Sequence, residues 1–462
     1  MALSDDLSKP VGSALDLIGR TPMLEVTGID TGVCRLFLKL ENQNPGGSIK
    51  DRVARSMIEA AEADGSLKPG GVIIEATAGN TGLGLAQVAT LKGYPLMLIV
   101  PDKMAREKIL NLRAMNVDVR LTRSDVGKGH PEYYQDMAQT LAQSIPGAIY
   151  VNQFENPANP DAHEKTTAPE IWEQMDHDID AVVVGVGSGG TLTGLKRYFE
   201  RVSPETEFVL ADPKGSVLCE YIATGKFGAA GSWAVEGIGE DFIPSIADLN
   251  NVRTAYTIDD EESFRTAREL LKREGILAGS STGTLLAAAL RHCRAQTTPK
   301  RVMTFVCDTG TRYLSKVYND SWMFDQGLLH RSTVGDLRDL ISRRVVDEAV
   351  ISVTPDDTLL TAFQRMRAAD ISQLPVLQDG KLAGLLDESD LLLHVSGDSE
   401  RFRQPVRQAM NRQLRTLRPD AGLQALITTL QEGWVAVVAD ANGFYGLITR
   451  FDLLNYLRKT LA

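Results

Sequence analysis

The run Ala181-Val182-Val183-Val184-Gly185-Val186-Gly187-Ser188-Gly189-Gly190-Thr191 decides the architecture of the larger part of the chain. Four apolar residues with no polar alternation read as a strand buried on both faces. The glycine-rich stretch behind them reads as a tight loop that opens a helix. The same grammar recurs on either side. Gly71-Val72-Ile73-Ile74-Glu75, Leu96-Met97-Leu98-Ile99-Val100, Phe208-Val209-Leu210 and Arg301-Val302-Met303-Thr304-Phe305-Val306 are further short apolar runs. Helical patterns such as Gly79 to Thr90 lie between them. Buried strands alternating with helices predict an α/β domain with parallel sheets flanked by helices. Ligands in such folds collect at the carboxyl ends of the strands, so the loops that follow them are where chemistry is expected.

Three of those loops, and one more, carry suggestive residues. Consecutive glycines in Gly185 to Thr191 let several backbone N–H groups point at one place, and the helix N-terminus adds positive field, a combination that suits phosphate. Gly185, Gly187 and Gly190 also satisfy GxGxxG, which leaves a dinucleotide site and a plain tight turn as alternatives. In Asn44-Pro45-Gly46-Gly47-Ser48-Ile49-Lys50-Asp51-Arg52 a lysine follows a Pro-Gly-Gly turn, at the start of the periodic run Val53, Ala54, Met57, Ile58, Ala61. A cation is disfavoured in a first helical turn, so the neutral, carbonyl-reactive amine is favoured there. A solvated lysine on an ordinary capped helix is the plain alternative. Glu75-Ala76-Thr77-Ala78-Gly79-Asn80-Thr81-Gly82 offers hydroxyls, an amide and N–H groups to a carboxylate, or simply caps a helix. Gly279-Ser280-Ser281-Thr282-Gly283-Thr284 is a third hydroxyl-rich helix start, where capping is equally natural. One amine, one phosphate cradle and one carboxylate loop in one domain point to a phosphorylated aldehyde cofactor acting on an amino acid. That is the chemistry of pyridoxal 5'-phosphate.

Composition narrows the field. The 462 residues are 43% hydrophobic and 24% charged, as in ordinary globular proteins, and are enough for several domains. A net charge of -11 argues against nucleic acid or an anionic membrane surface as partner. No apolar run is long enough to span a bilayer, and Met1 to Pro10 lacks the apolar core of a secretory signal. Cys34, Cys219, Cys293 and Cys307 are far apart and read as buried thiols. Neither they nor the six scattered histidines form a metal motif, and a reducing cytoplasmic location is expected.

After Trp322 the pattern changes, and residues 323–335 read as a linker. Beyond it lies an internal repeat. Val353-Thr354-Pro355-Asp356 is echoed by Leu417-Arg418-Pro419-Asp420, Leu374-Pro375-Val376-Leu377 by Val435-Ala436-Val437-Val438, and Gly384 to Asp390 by Gly446 to Asp452. Each unit reads strand-helix-strand-strand-helix, and two such units are expected to pack on each other.

Over about residues 8 to 322 the chain resembles the β-family, or fold type II, of pyridoxal-phosphate enzymes. The markers are Pro45 to Arg52, Thr77 to Gly82, Gly187 to Thr191 and Ser280 to Gly283. The repeat resembles a tandem pair of CBS motifs, a Bateman module of α+β build. Val235-Glu236-Gly237-Ile238-Gly239-Glu240-Asp241-Phe242-Ile243-Pro244 is closer to the cystathionine-forming branch of that family than to the cysteine-forming one. The implied domains are 1–322 for catalysis, the linker 323–335, and motifs at 336–397 and 404–462.

The resemblance implies roles. Lys50 would hold the cofactor and later move protons. Asn80 would bond the ring oxygen, Gly187, Ser188, Gly189, Gly190 and Thr191 the phosphate, and Ser281 the pyridine nitrogen. Thr77, Ala78, Gly79, Asn80 and Thr81 would hold the substrate carboxylate, with Gln153 nearby. A serine hydroxyl cannot hold a proton on the ring nitrogen as an aspartate would, which favours β-replacement over transamination. The implied reaction condenses L-serine with L-homocysteine to L-cystathionine and water, with hydrogen sulfide released when cysteine replaces serine. A cysteine synthase using O-acetylserine and sulfide is the near alternative. A nucleotide sensor with an inactive front domain, argued against by the intact Lys50 and glycines, and a dehydrogenase are the distant ones. Ala78 stands where many relatives have serine, and Phe154 and Glu240 where many have tyrosine, so the substrate side departs more than the cofactor side. Only about ten residues precede the catalytic region here, so the haem-bearing extension of animal members, and with it haem, is expected to be missing. In the repeat, Thr449 and Asp452 match the ribose-binding pattern, whereas Asp387 in the first motif would repel an anionic nucleotide. An adenosyl ligand, if bound, would take the Thr449 and Asp452 site. A homodimer or higher homo-oligomer is implied.

Overall fold

The structure, a computed structural model, describes residues 10–460 apart from Ala78, Lys103, Ala105, Lys128 and Arg331. The chain divides into two compact units, Met1–Asn319 and Asp320–Ala462.

The first unit holds two sheets. The larger runs in the order β1 (Met23–Glu25), β2 (Arg35–Lys39), β10 (Arg301–Phe305), β7 (Ala181–Val184), β8 (Glu207–Pro213), β9 (Thr254–Ile258). All its pairings are parallel except β1 with β2. The smaller is wholly parallel, in the order β5 (Asp118–Thr122), β4 (Leu96–Pro101), β3 (Val72–Ala76), β6 (Ala148–Tyr150). The apolar runs read from the sequence are the central strands β3, β4, β7, β8 and β10, buried along nearly their whole length. The edge strands β1, β5 and β6 are only partly buried and carry weaker patterns.

Helix Lys50–Ala63 packs against helix Asn80–Lys92, and Val53, Met57, Ile58, Leu85 and Val88 close one core with Ile73, Leu98 and Val100 of the smaller sheet. The second helix runs past Thr90 to Lys92 because Gly93, at φ 77°, supplies the left-handed stop. The segment ahead of Lys50 is anchored by buried charge. The guanidinium of Arg52 pairs with Glu41 at 2.8 Å and with Glu170 at 2.6 Å. Lys39 completes the group, 2.8 Å from Glu170. Thr21 Oγ1 and Asn44 Nδ2 donate to the remaining Glu41 lone pairs at 2.7 and 2.8 Å.

In the second unit the two repeats differ in one respect. The later one has a three-stranded sheet of β13 (Arg415–Leu417), β14 (Ala436–Asp440) and β15 (Gly443–Ile448). The earlier pairs only β11 (Gln373–Gln378) with β12 (Lys381–Asp387), and its first strand shrinks to the single bridge Val353–Val376. Around that bridge Val353 N–H donates to Pro375 O and Leu377 N–H to Val353 O, at 3.2 and 2.8 Å. The next rung toward Ile351 would need a donor at residue 375, and proline has none. The corresponding Val437 has its N–H, so the ladder continues there.

Removing the cation from the buried group strands Glu41, which is fully buried. Arg52→Met is expected to destabilise the catalytic unit by about 3–5 kcal/mol, with Glu41→Gln in the same chain recovering part of the loss in urea melts.

Candidate active site

Five segments distant in sequence converge at the carboxyl ends of the strands. Helix Lys50–Ala63 begins there, as do Asn80–Lys92 after β3, Gly190–Val202 after β7 and Ser280–Arg294. The fifth is the turn behind β6 that carries Gln153. Together they enclose a cavity of about 240 Å³ lined by Lys50, Thr77, Gly79, Asn80, Thr81, Gln153, Gly187, Ser188, Gly189, Thr191 and Ser281. Gly190 does not face it, and Ala78 lies outside the described residues.

Packing explains the glycines. A Cβ on Gly187 would sit 2.6 Å from Gly237 O, and one on Gly190 would sit 1.9 Å from Asn159 Oδ1. Gly189 has φ 89°. The loop therefore presents main-chain N–H groups and no bulk, at the start of a 13-residue helix. Asn159 Nδ2 ties it to the Gln153 turn, donating to Gln153 O at 2.8 Å and Ser188 Oγ at 2.9 Å. Thr191 Oγ1 lies 3.2 Å from His163 Nε2, and burial holds that imidazole well below its ordinary pKa, hence neutral.

Asn80 is fixed at both ends. Its Nδ2 donates to Asp308 Oδ2 at 2.8 Å, its Oδ1 accepts from Arg312, and one amide hydrogen remains for the cavity. Tyr313 donates to the same Asp308 oxygen at 2.7 Å. Thr81 Oγ1 donates to Gln153 Oε1 at 2.6 Å, and Gly79 N–H to Thr77 Oγ1 at 3.1 Å. Burial pushes the Lys50 amine below its ordinary pKa, against the pull of Cys307, Asp308 and Glu240. Desolvation thus dominates at Lys50, where the sequence suggested the helix field.

Several lining residues were not legible as site residues. Cys307, read as a buried thiol, lines the cavity directly behind β10, and burial lifts its pKa to about 12. Its position after an apolar strand was the available signal. Ser281 and Cys307 are thus both uncharged. Glu240 also lines the cavity; burial, with Asp241 and Asp212 adding, raises its carboxyl to about 8. Four residues earlier, Glu236 has Lys108 and Lys316 as partners, and despite its burial they hold it below the ordinary carboxylate value.

The donor set suits a phosphorylated aldehyde. An amine whose pKa burial lowers faces a glycine-rich anion cradle, and no carboxylate belongs to the glycine loop. Among the described residues no cluster of three metal-ligating side chains exists.

The second unit has its own cavity of about 710 Å³, and Asp387, Thr449 and Asp452 all line it. Thr449 N–H and Oγ1 both donate to Asp452 Oδ2 at 2.6 Å, and Ser342 Oγ contacts Oδ1. Asp387 caps helix Glu388–Val395 through Asp390 N–H at 2.8 Å.

The model of the pyridoxal-phosphate dependent enzymes matches residues 14–308, and the CBS domain matches 337–397 and 406–459. Cystathionine beta-synthase of Apis mellifera is 34% identical over 98% of this chain and 92% of its own. Cysteine synthase A of Escherichia coli is 40% identical over 64% of this chain and 92% of its own. A crystal structure of O-acetylserine dependent cystathionine beta-synthase from Helicobacter pylori superposes with a TM-score of 0.63 at 36% identity, covering 67% of this chain and all of that one. No described helix is long and apolar enough to cross a membrane. With a lysine-bearing cavity in a fold type II domain and tandem CBS domains behind it, the chain belongs to the pyridoxal-phosphate dependent enzymes, in the cystathionine β-synthase family.

Proposed function

We propose that the protein performs β-replacement, joining L-serine to L-homocysteine as L-cystathionine with loss of water, and releasing hydrogen sulfide when cysteine takes the place of serine. The carrying observation is the match of both modules, catalytic and CBS, to cystathionine β-synthases along nearly the whole chain. Pyridoxal phosphate, when bound, supplies an aldehyde for amines and an electron-accepting ring beside the α-carbon.

The chain's residues do the rest. The N–H groups of Gly187 to Thr191 hold the phosphate. Lys50, its amine shifted toward the neutral form by burial, takes the proton from the substrate α-carbon and returns it there. Asn80 offers its remaining amide hydrogen to the ring oxygen. Thr77, Gly79 and Thr81 hold the substrate carboxylate, and Gln153 is oriented on it by Thr81. Ser281 and Cys307 bring no charge to the ring, which disfavours storing electrons there and so favours expulsion of a β-substituent.

Cysteine synthesis from O-acetylserine and sulfide is the second reading, favoured by the 40% identity of the catalytic region to a cysteine synthase. Turnover of serine with homocysteine, against O-acetylserine with sulfide, separates the two. Cystathionine from the first pair is expected, and its absence sinks the main reading. Lys50→Ala is expected to lose the absorbance near ~410 nm that a lysine-bound cofactor shows, and turnover with it.

The cavity at Thr449 and Asp452 is proposed to take an adenosyl ligand, its ribose hydroxyls replacing the bond between Asp452 and Ser342. S-adenosylmethionine is expected to raise the melting temperature of the wild type and not of Asp452→Ala, because a ligand of the folded state must stabilise it. A cytoplasmic homo-oligomer is the accompanying expectation, which gel filtration tests.

A further inference from the structure

Expelling hydroxide is the difficult half of a reaction that starts from serine. The Cβ–O bond breaks with its electron pair on oxygen, and a proton must arrive as it does. Lys50 already serves the α-carbon. The other polar side chains around the cavity are hydroxyls, amides and the Cys307 thiol, whose pKa of about 12 makes it a poor donor. Among the described residues one carboxyl lines the cavity, that of Glu240.

Its backbone is held firmly. Glu240 N–H donates to Ser216 Oγ at 3.1 Å, and Glu240 O accepts from Ser216 Oγ at 3.1 Å and from Val217 N–H at 3.0 Å. The preceding Gly239, at φ 88°, is packed so closely on Pro213 that a Cβ would lie 2.4 Å from its Cγ. No salt bridge reaches the Glu240 carboxyl among the described residues, and burial together with its acidic neighbours Asp241 and Asp212 opposes ionisation and outweighs the attraction of Lys50. Glu236, on the same loop, has two lysines. Two carboxyls four residues apart are thus driven to opposite protonation states, one charged and structural, the other holding its proton inside the cavity. Such a split is how acid roles are assigned in enzymes that work near neutral pH.

We infer that Glu240 is the general acid for the departing β-hydroxyl, an assignment that rests on the serine reading above. Its proton forms the new O–H bond as Cβ–O breaks, and water leaves. The resulting carboxylate then takes the thiol proton of homocysteine as sulfur bonds to Cβ. The acid is reset, and the sum is serine plus homocysteine giving cystathionine plus water.

The test varies the leaving group. Acetate departs without a proton, so Glu240→Gln is expected to lose about 10²-fold or more of kcat with serine, and far less with O-acetylserine, homocysteine being the nucleophile in both assays. Equal losses with the two substrates overturn the assignment, as does unchanged serine turnover. Glu240→Asp, which keeps an acid, is expected to recover part of the serine rate, and no recovery counts against the role. Apart from turnover, the infrared difference spectrum of wild type minus Glu240→Gln should contain the carbonyl band of one protonated carboxyl, and its absence overturns the proposal. Should Glu240→Gln not fold, the wild type decides: a solvent deuterium effect larger with serine than with O-acetylserine is expected, and equal effects overturn it. A wild type that makes no cystathionine from serine refutes the parent reading instead, so the two failures are distinct.

Discussion

Desolvation of one amine is the constraint around which the catalytic unit is arranged. A buried lysine is tolerated as a neutral base, and an uncharged amine is what carbonyl and proton chemistry require. Helices Lys50–Ala63, Asn80–Lys92, Gly190–Val202 and Ser280–Arg294 all begin at the cavity, so their N-terminal fields add there. The same field that disfavours a lysine cation favours a phosphate and a carboxylate. A parallel sheet makes this possible, because its parallel strands run toward the site and helices such as Asn80–Lys92 and Gly190–Val202 start there directly behind them.

Holding Lys50 in place falls to residues that do no chemistry. The buried group of Arg52, Glu41, Glu170 and Lys39 ties the helix start to β2 and to helix Ala168–Gln174. Its geometry is bidentate and the remaining lone pairs of Glu41 are satisfied, which is the condition under which buried charge can persist. The same loop is held from the other side by Asp51, whose carboxyl accepts Gly46 N–H at 2.5 Å. Buried carboxyls thus have two uses in this unit: paired with a cation they fix position, and without a salt bridge, as at Glu240, they retain a proton.

The repeat unit shows how a small chemical difference reshapes a duplicated element. Pro375 ends a ladder that Val437 continues, although the surrounding apolar patterns are alike. Asp387 of the first motif and Thr449 of the second line one cavity. Asp387 is committed there to capping its own helix, so its carboxylate has a structural partner as well as a place on the cavity wall.

What the sequence determined by itself is what short-range chemistry controls. The strand-loop-helix junctions at Lys50, Asn80, Gly190 and Ser281, the apolar central strands and the repeat are encoded within windows of ten to twenty residues, through periodicity, glycine conformations and capping. Partly buried edge strands such as β5 and β6 escaped, because their alternation is blurred by exposure. Tertiary structure decided which groups are desolvated and which find partners. Glu236 and Glu240 are alike in sequence, but Lys108 and Lys316 come from far along the chain to only one of them. Cys307 became a cavity wall because β10 lies between β2 and β7. Burial and charge pairing depend on long-range packing, and no local pattern carries them.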